Sequence, residues 1–550
     1  MDHGPHPGRR LSPPKTVTRF AVIVCLLAAG VFGQTHQHGR IEITLTAARD
    51  YADPLRDVEV KVDFIGPRGA RTTRAFWDGC RTWRVRFSPD EAGRWRWRTT
   101  ATQPDTGLHE NSGEFTASRY RGANTLYQRG APRLSANRRY FVQADGTPWF
   151  WLACTGWNSA LMSTRQEWDQ YIADRAAKRF TTVQFVMTQW RAGRADERGQ
   201  VAFTGVDRIS INPVFFQRMD EKFNVINERG LVAAPVLLWA LTSRDKESPG
   251  VSLPPSEAVT LARYMVARYG AHHVLWILGG DGNYTGSNAD RWKTIGRETF
   301  DLDRHPVTLH PGGMRDPWPE FKDESWVGFF QYQSGHGNNA AKWKWNAIAG
   351  PAEGWKIEPP RPVIDAEINY EAHLDYHDQK PIADSQVRRA AYYSLLSAPP
   401  AGVTYGAHGL WYWSRTAAIP LDHPRTGVAE PWSACLNYPG AHQMKVLRDF
   451  FESVEWWRLR PDRSLLAEDP PDPGFRAYPM PARSEDGAFA VVYFPDNPVI
   501  ALNLSAFRKT VRGTWVDPRT GERKPAGSWK PEKRVDLKTP AAGDWLLILR

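Results

Sequence analysis

From Pro148 to Trp413 the sequence switches eight times between a short apolar run and a longer polar or amphipathic stretch. The runs are Pro148–Gly156, Phe180–Met187, Leu231–Ala240, His273–Gly280, Pro306–His310, Trp326–Gln333, Pro362–Tyr370 and His408–Trp413. Runs this apolar suit strands covered on both faces, and parallel strands need crossover helices between them. Some of those helices are legible. Thr164 and Glu167 are spaced as a capping box. Residues 256–269 form an amphipathic stretch that starts after Pro254-Pro255 and stops at Gly270. Eight such units over roughly 300 residues predict an α/β fold, a (β/α)8 TIM barrel, over residues 133–460. The alternative is an open doubly wound sheet, but no GxGxxG follows any of the runs.

The flanks read differently. In residues 40–118, Val58, Val60, Val62 and Phe64 alternate with polar residues, as do Trp83, Val85 and Phe87, and a turn is signalled at Asp90–Gly93. Period-two alternation predicts a small antiparallel β-sandwich, immunoglobulin-like in type. After the barrel, residues 442–457 read as a helix, Leu466–Gly474 as a Pro-rich linker and residues 474–550 as a second small β-sandwich.

At the start, Arg9, Arg10, Lys15 and Arg19 precede the apolar run Phe20–Gly33. A basic segment, a short apolar run and small residues at its end describe a secretory signal peptide over residues 1–33. The run is short for a membrane span, and no other stretch is apolar enough to be one. A secreted or periplasmic mature chain without a stable span is therefore expected. It would keep Cys80, Cys154 and Cys435, which leave open one disulfide with a spare thiol or free buried thiols. No CxxC or zinc-ligand spacing occurs, so neither a metal nor another cofactor is expected. Net charge is +11, from 71 Lys+Arg against 60 Asp+Glu, without a long basic block, and no nucleic-acid partner is expected.

Barrels of this kind build their sites at the C-terminal ends of the strands. The runs end, in order, on Trp157 and Asn158; Gln189 and Trp190; Trp239; Asp281; His310; His336; Glu367, Tyr370 and Glu371; and Trp411. The chain has 25 Trp, which either staple cores or offer flat faces to sugar rings; Trp151, Trp326 and Trp456 are placed for packing. Taken singly, a carboxylate at a strand end is more often a loop cap, and a histidine more often a structural hydrogen-bonder. As a set on one rim they suit a polysaccharide or oligosaccharide substrate. Glycoside hydrolysis needs two carboxyl groups. Asp281 ends the fourth run and Glu367 the seventh, nearly opposite in a ring of eight. By period two, Val363, Asp365 and Glu367 share a face, with Glu367 topmost and Asp365 a layer below in need of a partner. Glu371 lies past the strand end and is expected to support the site.

These residues resemble those of the apiosidase-like glycoside hydrolases. The stretches that carry the resemblance are GTPWFWLACTGWN, RFTTVQFVMTQW, HHVLWILGGDGNY, QYQSGH, PVIDAEINYE and GLWYW. VEVKVDFIGP and FWDGCRTWRVRFSPDEAGRWRW resemble the N-terminal sandwich often fused to such enzymes. GTWVDPRTGE through DWLLILR resembles a C-terminal module named for collagen binding. The resemblance implies a retaining glycosidase acting on a plant or microbial polysaccharide, with Asp281 as general acid/base and Glu367 as nucleophile. Related barrels usually end strand four on Asn-Glu; here it ends on Gly280-Asp281, and the glycines would let the shorter side chain reach the substrate. The other reading is a non-catalytic carbohydrate- or matrix-binding protein on a degenerate barrel.

Overall fold

The computed structural model describes residues 1, 4, 33–241, 245–469, 474–496 and 499–550. The apolar core of the expected signal peptide, residues 20–32, lies outside them, as do residues 470–473 of the expected linker. Residues 33–550 fold as one unit.

Eight parallel strands form the central sheet: β1 (Trp151–Thr155), β2 (Thr182–Val186), β3 (Val232–Trp239), β4 (Trp276–Gly282), β5 (Val307–Pro311), β6 (Phe330–Gln333), β7 (Val363–Glu367) and β8 (Gly402–Gly406). Their order is β5-β4-β3-β2-β1-β8-β7-β6. The ring closes between β5 and β6 at its lower edge, where Val307 bridges Val327 and the Gly328 N–H donates to the Val307 carbonyl at 2.8 Å. At the upper edge the Met314 N–H donates to the Gln333 carbonyl at 2.8 Å. Between those points, among the described residues, the two strands are not paired. Almost every strand residue is buried, as a sheet covered on both faces requires.

The capping box is present on α1 (Arg165–Ala177): the Thr164 hydroxyl accepts from the Glu167 N–H at 3.2 Å, and Glu167 accepts from the Thr164 N–H at 2.8 Å. The amphipathic stretch is α3 (Pro255–Tyr269), which follows α2 (Pro213–Glu228). One strand differs from expectation. Residues 408–413 are not β8; His408–Tyr412 is a one-turn helix that stops at Trp413, whose φ is 61°. The eighth strand is the preceding GVTYG. Its glycine ends leave three larger side chains to signal a strand, whereas the aromatic run after it is buried against the rim and imitates one.

The N-terminal module packs a five-stranded sheet against a three-stranded one. Val62, Phe64, Val85, Trp95 and Phe115 fill the space between them, with Phe64 stacked on Phe87 at 4.1 Å. Charged side chains join it to the barrel. Arg86 donates to both oxygens of Asp220 on α2, at 2.8 and 2.6 Å. Arg268 on α3 donates to the same two oxygens at 2.8 and 2.6 Å and to Asp78 at 2.7 Å. The C-terminal module docks through Asp544, which accepts from Arg388 twice at 2.9 Å, and Tyr493, stacked on Tyr392 at 4.7 Å. Cys80, Cys154 and Cys435 are all free, the first exposed and the other two buried.

Candidate active site

Strand β4 ends on two glycines because aromatic rings close in on it. A Cβ at Gly280 would fall 2.5 Å from the Trp239 ring, and one at Gly279 would fall 2.7 Å from Trp292. The glycines thus serve packing, and the reach of Asp281 comes from elsewhere. The register with β5 shifts between Gly280 and Gly282, so Asp281 is a bulge residue, and its φ of 49° lies in the left-handed region. A bulge re-aims one side chain, and a non-glycine residue held there stores on the order of 1 kcal/mol of strain. Its carboxyl is half-buried and, among the described residues, receives no hydrogen bond. Burial pushes it well above the usual carboxylate range, and the charge of Glu367 pushes it further; Arg191 and Arg315 pull it back only in part.

Glu367 is treated in the opposite way. His310 meets Oε2 through Nε2 at 3.1 Å, while Gln333 donates to Oε1 at 2.8 Å and His336 meets Oε1 through Nε2 at 2.9 Å. The His336 tautomer follows from its other nitrogen: Nδ1 accepts the Tyr370 N–H at 3.2 Å, so Nε2 carries the proton. Burial alone would raise the Glu367 carboxyl, but the hydrogen bonds from the two histidines outweigh it and hold it below the usual range. The buried Tyr370 hydroxyl lies near enough to Glu367 for that charge, after burial, to raise its own pKa.

Asp365 does not share a face with Glu367. It accepts from Ser394 at 2.7 Å, on the helix Asp384–Ser397 outside the barrel, and from the Ser334 N–H at 3.2 Å. The β6–β7 register shifts between Tyr332 and Gln333, which breaks the period-two alternation just before Glu367.

The expected tryptophans form one packed wall. Trp157 meets Trp239 at 5.0 Å and His310 at 5.2 Å, and Trp190 meets Trp239 at 4.5 Å. Trp411 meets His423 at 5.2 Å. Trp157, Trp190, Trp239 and Trp411 are only 1–4% exposed, so they line the site rather than form open platforms. The buried indole N–H groups of Trp239 and Trp411 have no partner among the described residues, which leaves two free donors.

Three expected residues have their polar atoms engaged by protein. Asn158 donates to the Ala192 and Tyr412 carbonyls at 2.8 and 3.2 Å and accepts from Trp190 at 2.7 Å. Gln189 donates to the Phe203 carbonyl at 2.8 Å and accepts from the Ala202 N–H at 2.9 Å. Glu371 accepts from Tyr405 at 2.6 Å and from the Gly440 N–H at 3.0 Å, in the first turn of the helix Pro439–Glu452, where backbone donors favour an anion. These residues hold loops and elements in place.

Other residues at the mouth fall outside the strand ends. Tyr376, 40% exposed, senses both Glu367 and Asp281, and its N–H donates to the His336 carbonyl at 3.3 Å. His373 lies 4.3 Å from His336, ring to ring. The arm 418–429, closed by paired Ala418 and Ala429, bonds to the loops that follow β2 and β7. Its Asp422 carbonyl accepts from Arg191 at 2.6 Å, and its Thr426 carbonyl accepts from the Leu374 N–H at 3.1 Å. Among the described residues no group of His, Cys, Asp and Glu is arranged to hold a metal ion, and no helix is long and apolar enough to cross a membrane.

Three family descriptions match the chain in succession. "Domain of unknown function (DUF5060)" covers residues 34–102, "Apiosidase-like, catalytic domain" covers 135–458 and "Putative collagen-binding domain of a collagenase" covers 460–550. Among solved structures, a "putative glycoside hydrolase" from Bacteroides vulgatus is 18% identical, covers 94% of this chain and 99% of its own, and superposes with a TM-score of 0.69. A glycoside hydrolase family 5 protein from the same organism is 21% identical over 76% of this chain and 93% of its own, with a TM-score of 0.67. At these identities the likeness bears on the fold. No curated protein matches the chain.

Proposed function

We propose that this chain, which belongs to the apiosidase-like catalytic-domain family and is a glycosidase, hydrolyses its substrate by a retaining double displacement with Asp281 as acid/base and Glu367 as nucleophile. The observation that carries the reading is the opposite treatment of the two carboxyls. One is unbonded and pushed toward its protonated form; the other holds three hydrogen-bonding partners and stays ionised. Two titratable groups pushed apart in this way are suited to acid and nucleophile roles. In the first step Glu367 forms a bond to the anomeric carbon as the glycosidic C–O bond breaks, and the Asp281 proton goes to the departing oxygen. In the second, water attacks the same carbon, its proton goes to the Asp281 carboxylate, and the ester to Glu367 breaks. The free N–H groups of Trp239 and Trp411 are available to sugar hydroxyls.

The substrate class we propose is a plant or microbial polysaccharide, with apiose-bearing glycans first on the panel. We further propose export, directed by residues 1–33, and modules at 40–118, 133–460 and 474–550; N-terminal sequencing of secreted protein and limited proteolysis check these.

Glu367→Gln is assayed beside wild type on a panel of natural and aryl glycosides. A loss of on the order of a thousandfold or more in kcat is expected, since the nucleophile itself is removed. Undiminished turnover by the variant would sink the assignment. Proton NMR of the first-formed product then reads the anomer, and inversion would exclude the double displacement.

A further inference from the structure

The C-terminal module carries positive charge that its own ion pairs do not absorb. Residues 474–550 hold thirteen Lys+Arg against eight Asp+Glu. Six of those acids are already paired: Glu485, Asp486 and Asp544 with Arg460, Arg458 and Arg388, and Asp517, Glu522 and Asp536 with Arg519, Lys524 and Arg534. Arg508, Lys509, Arg512, Lys530 and Lys533 are all exposed and, among the described residues, have no ion-pair partner.

The topology gathers these five on one rim. The strands Val499–Leu502 and Val535–Lys538 pair with Leu502 opposite Val535, and the strands Val511–Val516 and Arg523–Trp529 pair with Val511 opposite Trp529. The two connections between those pairs must therefore run side by side. They do so: the Leu504 N–H donates to the Glu532 carbonyl at 2.8 Å. Arg508 and Lys509 lie on one connection and Lys530 and Lys533 on the other, while Arg512 sits opposite Ser528. Glu532 is the one acid on these connections. Between the cations lies Trp529, half-buried, its indole against Gly513 and Gly527; a Cβ at Gly513 would fall 2.5 Å from the ring.

Charge near an exposed edge strand can simply prevent edge-to-edge pairing. Here that duty falls to the strand's own Arg523 and Lys524, which are held by Ser453 and Glu522. None of the five unpaired cations lies on that strand. Their spread along a rim suits a ligand whose charge repeats more than it suits a single anion.

We propose that this rim is a docking surface for a polyanionic polysaccharide, a chain bearing a carboxylate or sulfate on successive sugars. The cations match the repeated charge, and Trp529 offers an apolar face to a sugar ring. The existence of the surface follows from the module alone; the choice of a polysaccharide among polyanions rests on the glycosidase reading.

The test uses the full chain in affinity gels containing alginate, a polyuronate, or dextran, a neutral glucan, with DNA, gelatin and anionic phosphatidylserine vesicles as competitors. The variants are the triple reversal Arg508→Glu, Lys509→Glu, Lys530→Glu and the conservative triple Arg508→Lys, Lys509→Arg, Lys530→Arg, with circular dichroism as a check on folding. Alginate but not dextran should retard wild type, more weakly as salt rises. The reversal should weaken binding about tenfold or more, and the conservative triple should bind as wild type does. Turnover of a small soluble glycoside should be the same in all three. Retention unaffected by the reversal, no retention by alginate at low salt, or tighter binding to DNA, gelatin or vesicles than to alginate would each overturn the proposal. Alginate binding without hydrolysis of any glycoside would instead remove the glycosidase reading and leave the surface standing.

Discussion

Asp281 and Glu367 are the same functional group in two environments, and the difference has a pH signature. In the role proposed for it, Glu367 must be ionised to attack, and its depressed pKa would keep it so well into acid. As the proposed acid, Asp281 must be protonated to give its proton away, and its raised pKa would keep the proton on. The profile of kcat/KM should therefore stay high on the acid side and fall as pH rises through the raised value, with both limbs belonging to the coupled pair. His336→Ala removes one of the three partners of Glu367, and the acid limb should then move to higher pH. A drop in kcat/KM of about one to three orders of magnitude should accompany it. An acid limb that stays put would show that His336 does not set the nucleophile's charge. Both carboxyls were legible in the sequence because each closes an apolar run where a bare acid is costly. The engagement of Asn158, Gln189 and Glu371 was not, because their partners come from distant segments such as Tyr412, Phe203 and Gly440. Tyr376, His373 and Arg191 lie in loops with no periodicity to mark them.

At the scale of the element, β4 is the strand whose sequence and geometry are most tightly bound together. A Cβ at Gly280 would meet the Trp239 ring at 2.5 Å and Val236 at 2.8 Å. Gly280→Ala should thus lower stability by about 1–3 kcal/mol through overpacking. A denaturant midpoint equal to that of wild type would show that Trp239 can yield. Seven of the eight barrel strands follow from apolar runs, since burial on both faces writes itself into composition. The eighth did not: GVTYG is small, and the buried HGLWYW beside it carries the stronger apolar signal while forming a helix. The two register shifts were likewise invisible, because a bulge is set by neighbouring strands rather than by the residue that occupies it.

Over the whole molecule, charged side chains tie the N-terminal sandwich to the barrel. Asp220 receives four hydrogen bonds from Arg86 and Arg268, and Arg268 is fully buried. Desolvation offsets much of what such a cluster gains, so its presence alone is weak evidence of stability. Removing one member is different. Asp220→Ala leaves two arginines short of acceptors and should cost about 3–5 kcal/mol. Calorimetry should show the sandwich and barrel unfolding together in wild type. An unshifted transition in the variant would mean that water reaches the cluster. The three-module order was legible from the change of hydrophobic period along the chain, whereas these junctions depend on arginines and acids far apart in sequence.

The incomplete seam between β5 and β6 gives the proposed nucleophile a second duty. His310 comes from β5, Gln333 from β6 and Glu367 from β7, so one carboxylate ties β5 to the paired strands β6 and β7 across the seam that strand pairing leaves open. Esterifying that carboxylate with a sugar would occupy an oxygen and cancel its charge, which loosens the stitch. Trapped as a glycosyl-enzyme, the barrel should breathe at this seam: amide hydrogens near Leu309 and Gln333 should exchange with solvent deuterium faster than in the resting protein. Each catalytic cycle would then briefly unlatch the wall it works against.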